Sequence, residues 1–286
     1  MELPVTSSKR GLRDALGNTE AYQGSLPFWP DHTRGVPWVA LRSALFAPVR
    51  SGTRRSMQRE KLASVSTYEI RFTGIQLDQA DLDVYEQVLH LARAIPLGRA
   101  VEFKTRQMLA ELGRSQGGKD REWLLKSLAR MQACAIEFRL SEGGPAVYIG
   151  SLILRQGRVE SEKEAATGSG MHYLILDEKL ASLYSSGFST QNWANRLKLG
   201  KNQLAKWLFG FASDLSRPLT FKVESLMQMS NSNYKRVRDF KAALEDAAAA
   251  NRAAGVNLFL VFDRKGNVRM ERRETFGPAP LPPTAR

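Results

Sequence analysis

A single cysteine, Cys134, stands among 286 residues, so the chain has no internal disulfide. It lies in the apolar run ACAIEF and reads as a small core residue rather than a nucleophile. No apolar run approaches the ~18 residues of a membrane-spanning helix. The opening stretch MELPVTSSKRGLRDALGNTEAYQG lacks the apolar centre of a secretory signal. The expected setting is therefore a reducing cytoplasm. Histidine is scarce too: His32, His90 and His172. None stands near another His, a Cys or paired carboxylates at metal-ligand spacing. There is no His-x-His pair of the kind a metal-dependent DNA-nicking enzyme uses. His90, inside VYEQVLHLARAI, reads as a surface or boundary residue. The expectation is a non-enzyme with no metal and no cofactor.

What the chain does have is charge. The net charge of +13 points to a polyanionic partner, with nucleic acid ahead of membrane. One stretch, GRSQGGKD from Gly113 to Asp120, has the G-x-x-x-x-G-K spacing of a phosphate-binding loop. Asp120 stands where Ser or Thr should reach magnesium, and the preceding TRQMLAEL reads as a helix, not a buried strand. The better reading is a Gly-rich turn between two helices, with Asp120 favouring the second helix's dipole.

The segment AYQGSLPFWPDHTRGVPWVALRSALF packs many large apolar groups among Pro27, Pro30 and Pro37, which rule out an ordinary helix over its first half. It either packs on the body of the protein or meets a partner. Residues 47–66 hold Arg50, Arg54, Arg55, Arg59 and Lys61 and read as a basic linker. TYEIRFTGIQL alternates like a strand, with Tyr68, Ile70 and Phe72 on one face.

From Asp81 onward one order of elements occurs twice. The first copy runs through the helix DLDVYEQVLHLARAI, the short piece AVEF, and the helices KTRQMLAEL and KDREWLLKSLARM, the last burying Trp123. It ends in the hairpin CAIEFRL and AVYIGSLIL. The second runs through NQLAKWLFGFASDL, LTF, KVESLMQM and YKRVRDFKAALEDAAAA to a hairpin of GVNLFLVF and NVRMERR, with Gly266-Asn267 at its turn. Phe103-Lys104 and Phe221-Lys222 fall at matching points. Between the copies lie a strand, MHYLILD, and a helix-like stretch around ANRLKL, read as the coupling between domains.

This order is that of a winged helix, a helix-turn-helix with a β-hairpin wing. The expected fold is α+β: two tandem winged-helix domains behind a partly disordered N-terminal segment. The boundaries are 1–66 for that segment, 67–190 and 191–276 for the domains, and 277–286 for a Pro-rich tail. In the second copy the third helix would turn Lys235 and Arg238 outward, with Ser232 and Asn233 at its start and Lys241 at the edge of the apolar stripe. Arg238 suits guanine and Asn233 suits adenine. Arg264, Lys265 and Arg269 on the wing would hold phosphates. In the first copy Lys119, Arg121 and Lys126 suggest weaker phosphate contact, although Glu122 and Lys126 can pair at i,i+4.

At the residue level the chain resembles the TrfA family of plasmid replication initiators. The matching stretches are PFWPD, RSALF, FTGIQL, IPLGRAVEFKTRQMLAELG, LARMQACAIEF and RPLTFKVESLMQMSNSN. The resemblance implies binding to direct repeats (iterons) in double-stranded origin DNA, opening of adjacent AT-rich DNA, and contact with the host replicative helicase and initiator. It implies a monomer–dimer equilibrium with the first winged helix in the dimer contact, and no catalysis. It places Ser232, Asn233, Lys235, Arg236, Arg238 and Lys241 in the principal reading helix. The family also carries, just before its W-P-D, a motif that docks on the host polymerase sliding clamp. Here Gln23, Ser25, Leu26 and Phe28 stand there, in a longer Q-x-x-L-x-F form. The alternative is a winged-helix transcriptional repressor or autoregulator binding operator DNA.

Overall fold

The computed structural model describes residues 24–49, 54–64, 68–159, 170–213, 215 and 217–273. Two apolar cores organise them. One gathers residues from Leu26 to Trp193, the other from Leu199 to Met270, and Ala63 packs against both. The fold is mixed α and β. The clamp-motif position Gln23 and the expected Pro-rich tail lie outside the described residues.

The Pro-broken segment packs inward. Strand β1 (Thr33–Pro37) leads into the one-turn helix α1 (Trp38–Leu41) and strand β2 (Phe46–Ala47). Trp29, Val36, Leu41, Leu45 and Phe46 are buried. The expected basic linker is instead largely strand β3 (Ser56–Leu62), paired antiparallel with β4 (Glu69–Ile75). Its described cations are all paired. Arg54 holds Asp78 and Asp81, Arg55 meets Glu60, Arg59 meets Glu137 and Lys61 meets Glu142. A count of basic residues could not show this, because all the partners but Glu60 are remote in sequence.

Strand β5 (Leu77–Asp78) runs parallel to β2 and feeds helix α2 (Gln79–Ala92). A capping box starts this helix. The Asp78 carboxylate accepts from the Ala80 and Asp81 N–H groups, and Asp81 accepts from the Asp78 N–H, satisfying donors that have no partner within the helix. Strand β6 (Ala100–Lys104) and helices α3 (Thr105–Glu111) and α4 (Gly118–Ala133) follow as expected. Trp123 is only half-buried, its ring lying under the Arg114 guanidinium at 3.4 Å.

The hairpin that the sequence reading assigned to a first wing belongs to a different sheet. Strands β7 (Ala135–Arg139) and β8 (Ala146–Gly150) do form a hairpin, but they complete the sheet β3-β4-β7-β8. Strand β6 is instead joined by β9 (Arg155–Val159) and β10 (Met171–Ile175), in the order β6-β10-β9. The β7 hairpin was legible from its turn. Its sheet was not, because β7 is claimed by the remote β4, where Ile70 and Phe72 oppose Phe138 and Ile136.

After a 3₁₀ helix (Glu178–Tyr184), strand β11 (Phe188–Asn192) pairs with β1 and leads to α5 (Trp193–Lys198). The second unit comprises α6 (Gln203–Phe211), β12 (Leu219–Lys222), α7 (Val223–Ser230), α8 (Val237–Ala253), β13 (Leu258–Phe262) and β14 (Asn267–Arg272). Its sheet has the order β12-β14-β13, the same arrangement as β6-β10-β9. Phe103-Lys104 pairs with His172-Met171, and Phe221-Lys222 with Val268-Asn267. The Phe-Lys pairs are thus structurally equivalent.

Candidate nucleic-acid interface

Helix α8 is anchored through Phe240, Leu244, Ala247, Ala248 and Asn251, all buried. Its other side exposes Arg238, Asp239, Ala242, Glu245, Asp246 and Ala249. Small side chains at positions 242 and 249 leave room for close approach. The helix starts at Val237, three residues later than the sequence reading had it. Ser232, Asn233, Lys235 and Arg236 therefore belong to the turn before the helix. The turn exists because Asn231 takes the left-handed conformation, φ 46°, at the end of α7, which asparagine tolerates better than most residues. Tyr234 then folds back edge-on against Phe240, 5.4 Å between centroids. This contact makes Tyr234 a strut rather than a helical residue.

Lys235 and Arg236 are exposed and in no ion pair among the described residues. Arg238 has an 80% exposed side chain, with Asp239 at 3.5 Å. Ser232 is half-buried, its hydroxyl 2.9 Å from Ser230 Oγ, and Asn233 is exposed. Lys241 leans away from the helix, its ammonium 4.7 Å from the Phe262 ring on β13. It thereby bridges α8 and the β13–β14 hairpin.

That hairpin turns over Arg264, Lys265 and Gly266. The Asp263 carboxylate accepts from the Lys265 N–H at 2.8 Å, the Asn267 N–H at 2.9 Å and Asn267 Nδ2 at 2.8 Å. These hydrogen bonds hold the Asp263 carboxyl below the usual carboxylate range. Gly266 supplies φ +80°, as the third residue of a three-residue hairpin loop requires. The turn is thus Gly266 closing a loop over Asp263, not a two-residue Gly266-Asn267 turn. Arg264 and Lys265 stand exposed at its apex, and Arg269 is exposed on β14.

Sequence reasoning missed Lys222. It is exposed on β12, opposite Asn267. The next residue, Val223, donates its N–H to the Gly266 carbonyl at 3.0 Å, which ties the start of α7 to the hairpin tip and gathers Lys222, Arg264 and Lys265. The repeated Phe-Lys pair was the signal that could have found it.

In the first unit Lys119 is exposed, Arg121 is half-buried, and Lys126 pairs with Glu122 at 2.6 Å. Strand β9, in the sheet with β6 and β10, carries exposed Arg155 and Arg158, which the sequence reading did not single out. Asp120 is held by Ser115 and Arg114 in the first turn of α4. The Gly-rich turn follows helix α3, so its loop geometry is not that of a strand-to-helix phosphate loop. Cys134 is buried, its thiol pushed up to about 11 by burial. His90 is not a surface residue. Its Nδ1 accepts from Trp29 Nε1 at 3.2 Å in a buried contact, and burial with Arg34 and Arg93 nearby lowers its pKa to about 4. The apolar N-terminal segment could not be paired with this histidine from sequence.

Of the clamp-like residues, Leu26 lies in the first core, Ser25 is exposed and Phe28 is 82% exposed. The chain here is pinned by a Leu97 N–H to Gly24 carbonyl bond. The structure thus separates Leu26 from Phe28. Among the described residues no cluster of three His, Cys, Asp or Glu side chains could hold a metal ion. No described helix is long and apolar enough to cross a membrane.

The plasmid replication initiator protein TrfA of Escherichia coli is 27% identical over 233 residues, which are 80% of this chain and 59% of the relative's length. A crystal structure of RctB domains 2 and 3 covers 78% of this chain and 93% of its own, at 16% identity and a TM-score of 0.46. A selenomethionine derivative of the same two domains covers 80% and 95%, at 17% identity and 0.49. The TrfA protein family model matches residues 20–263, most of the chain. This chain belongs to the TrfA family.

Proposed function

We propose that the protein is a plasmid replication initiator that binds direct repeats at an origin, helps open adjacent AT-rich DNA and engages host replication proteins. In this reading each unit is a winged helix. The α7–α8 turn and first turns of α8 enter the major groove, Arg238 and Asn233 meet base edges, and Lys222, Arg264, Lys265 and Arg269 hold phosphates. The first unit adds phosphate contact through Lys119, Arg155 and Arg158, and also serves self-association. The protein has no catalytic step of its own.

One observation carries this reading. Lys235, Arg236, Arg264, Lys265 and Arg269 are exposed on one unit and form no close ion pair among the described residues, with Asp263 and Glu271 the acidic neighbours of Lys265 and Arg269. The cations of the first unit's sheet, by contrast, are neutralised. A surface of unpaired cations beside a helix start and a hairpin tip suits a phosphate backbone. The test is equilibrium binding to a duplex of direct repeats taken from beside the gene, against random duplex of equal length. Specific binding at least about a thousandfold tighter is expected, falling steeply with salt. Equal affinity for the two duplexes defeats the proposal. Preference for inverted half-sites favours a repressor instead.

Clamp contact, in the same reading, is made by the extended peptide around Gln23 to Phe28, with Phe28 as the side chain already presented. Phe28→Ala should lower affinity for purified bacterial sliding clamp by about tenfold or more, with duplex binding unchanged. Leu26→Ala should lower both clamp affinity and thermal stability, because Leu26 packs in the core. Unchanged clamp affinity in Phe28→Ala refutes this contact.

A further inference from the structure

The two units meet through a buried polar joint that none of the assignments above uses. Arg196 on α5 is fully buried between them. Its Nε lies 2.8 Å from Asp83 Oδ1 and 3.2 Å from Glu86 Oε2, both on α2. Its terminal nitrogens donate to the Gln191 and Gln79 side chains at 3.3 and 3.1 Å and to the Lys206 carbonyl at 3.3 Å. Lys206 on α6 reaches the other Asp83 oxygen at 2.5 Å. The Gln79 N–H donates to Gln203 Oε1 at 2.9 Å. One carboxylate, Asp83, is thus shared by a cation from the connector and a cation from the second unit.

A second polar contact lies at the reading turn itself. Arg55 Nη2 donates to Asn231 Oδ1, and Gln76 Nε2 to the Asn231 carbonyl, each at 3.4 Å. Asn231 is the left-handed residue that sets the path of the chain into Ser232–Arg236. The first unit therefore touches the residue that aims the reading turn.

We propose that this joint makes the two units a rigid caliper, fixing the phase between their contact sites along one DNA duplex. Apolar packing between the units tolerates sliding. Hydrogen bonds and charge pairs are directional and define one arrangement. Asp83, Lys206, Arg55 and Gln76 are positioning residues. They touch no DNA and act by setting where the second unit's cations fall relative to those of the first. The inference rests on the DNA-binding reading above.

The test uses the full chain on a direct-repeat duplex whose two protected tracts are first mapped by hydroxyl-radical footprinting. About half a helical turn, 5 base pairs, is then inserted between the tracts. Wild-type protein should bind the inserted duplex about tenfold more weakly and lose protection of one tract. The Arg55→Ala/Gln76→Leu variant removes both contacts to Asn231 and leaves the reading turn's own residues unchanged. It and Lys206→Met, which retains the buried stem, should bind the uninserted site within about threefold of wild type. Both should lose most of the insertion penalty. Wild-type indifference to the insertion, or a full penalty in both variants, overturns the caliper. A single protected tract overturns it as well. No footprint on repeat DNA at all overturns the DNA reading, and the caliper with it.

Discussion

Replacing Lys235, Arg236 and Arg238 together with alanine is expected to weaken specific binding to repeat DNA by about a hundredfold or more. A bidentate arginine–guanine contact contributes about 1–3 kcal/mol of discrimination, and each tenfold in affinity is about 1.4 kcal/mol. Losing two phosphate contacts besides should flatten the dependence of log affinity on log salt by about 2. The fold should not notice. Among the described residues Lys235 and Arg236 are exposed without ion pairs, and the ion pair of the exposed Arg238 is with the neighbouring Asp239. Exposed substitutions of this kind move stability by about 0.5 kcal/mol or less. Arg238→Ala alone should relax preference at one base pair, whereas Lys235→Ala should weaken binding evenly across sequences. Salt titrations on specific and random duplex measure both. A triple variant that binds the repeat as wild type does, with an unaltered salt slope, would move the reading surface elsewhere.

The second large effect concerns Arg196. Its replacement by alanine should destabilise the protein by about 3–5 kcal/mol, since it strands buried carboxylates without their cation. Asp83 keeps Lys206, whereas Glu86 keeps the Gln191 amide, at 3.1 Å from its Oε1, and the more distant charges of Arg34 and Lys206. Burial already raises the Glu86 pKa to about 7, with Arg196 opposing the rise. Without Arg196 it rises further above the value of the unfolded chain. The folded variant then holds a proton that the unfolded chain gives up, so its stability falls as pH rises through the neutral range. The deficit against wild type should therefore be larger at about pH 8 than at about pH 6. Thermal unfolding of both proteins at the two values checks the sign, and an equal deficit at both would deny Glu86 its part. Arg196→Lys should rescue little, because an ammonium cannot span Asp83, Glu86 and two glutamines at once.

Much of this protein was legible in its residues. Helical spacing and Pro and Gly punctuation gave both sets of three helices. The recurrence of Phe-Lys marked an equivalence that strand pairing bears out. The quoted stretches pointed to the family. The i,i+4 pair Glu122–Lys126 and the burial of Cys134 also followed from local chemistry. Local hydrogen bonding and apolar periodicity act over a few residues, and a sequence displays them directly.

What the sequence could not decide were the choices made between remote segments. Strand β7 joins β4 rather than the sheet of β6, because Ile136 and Phe138 find Phe72 and Ile70 across the sheet. The cations of residues 54–61 stabilise carboxylates of the first unit and do not form a free basic tract. Trp29 finds His90, Leu26 enters the core and Phe28 stays out. Arg196, unremarkable within ANRLKL, becomes the fully buried link between the units. Composition determined that this chain carries cationic charge in excess. Tertiary structure decided which cations remain unpaired, because an ion pair depends on the approach of two side chains and not on their separation along the chain.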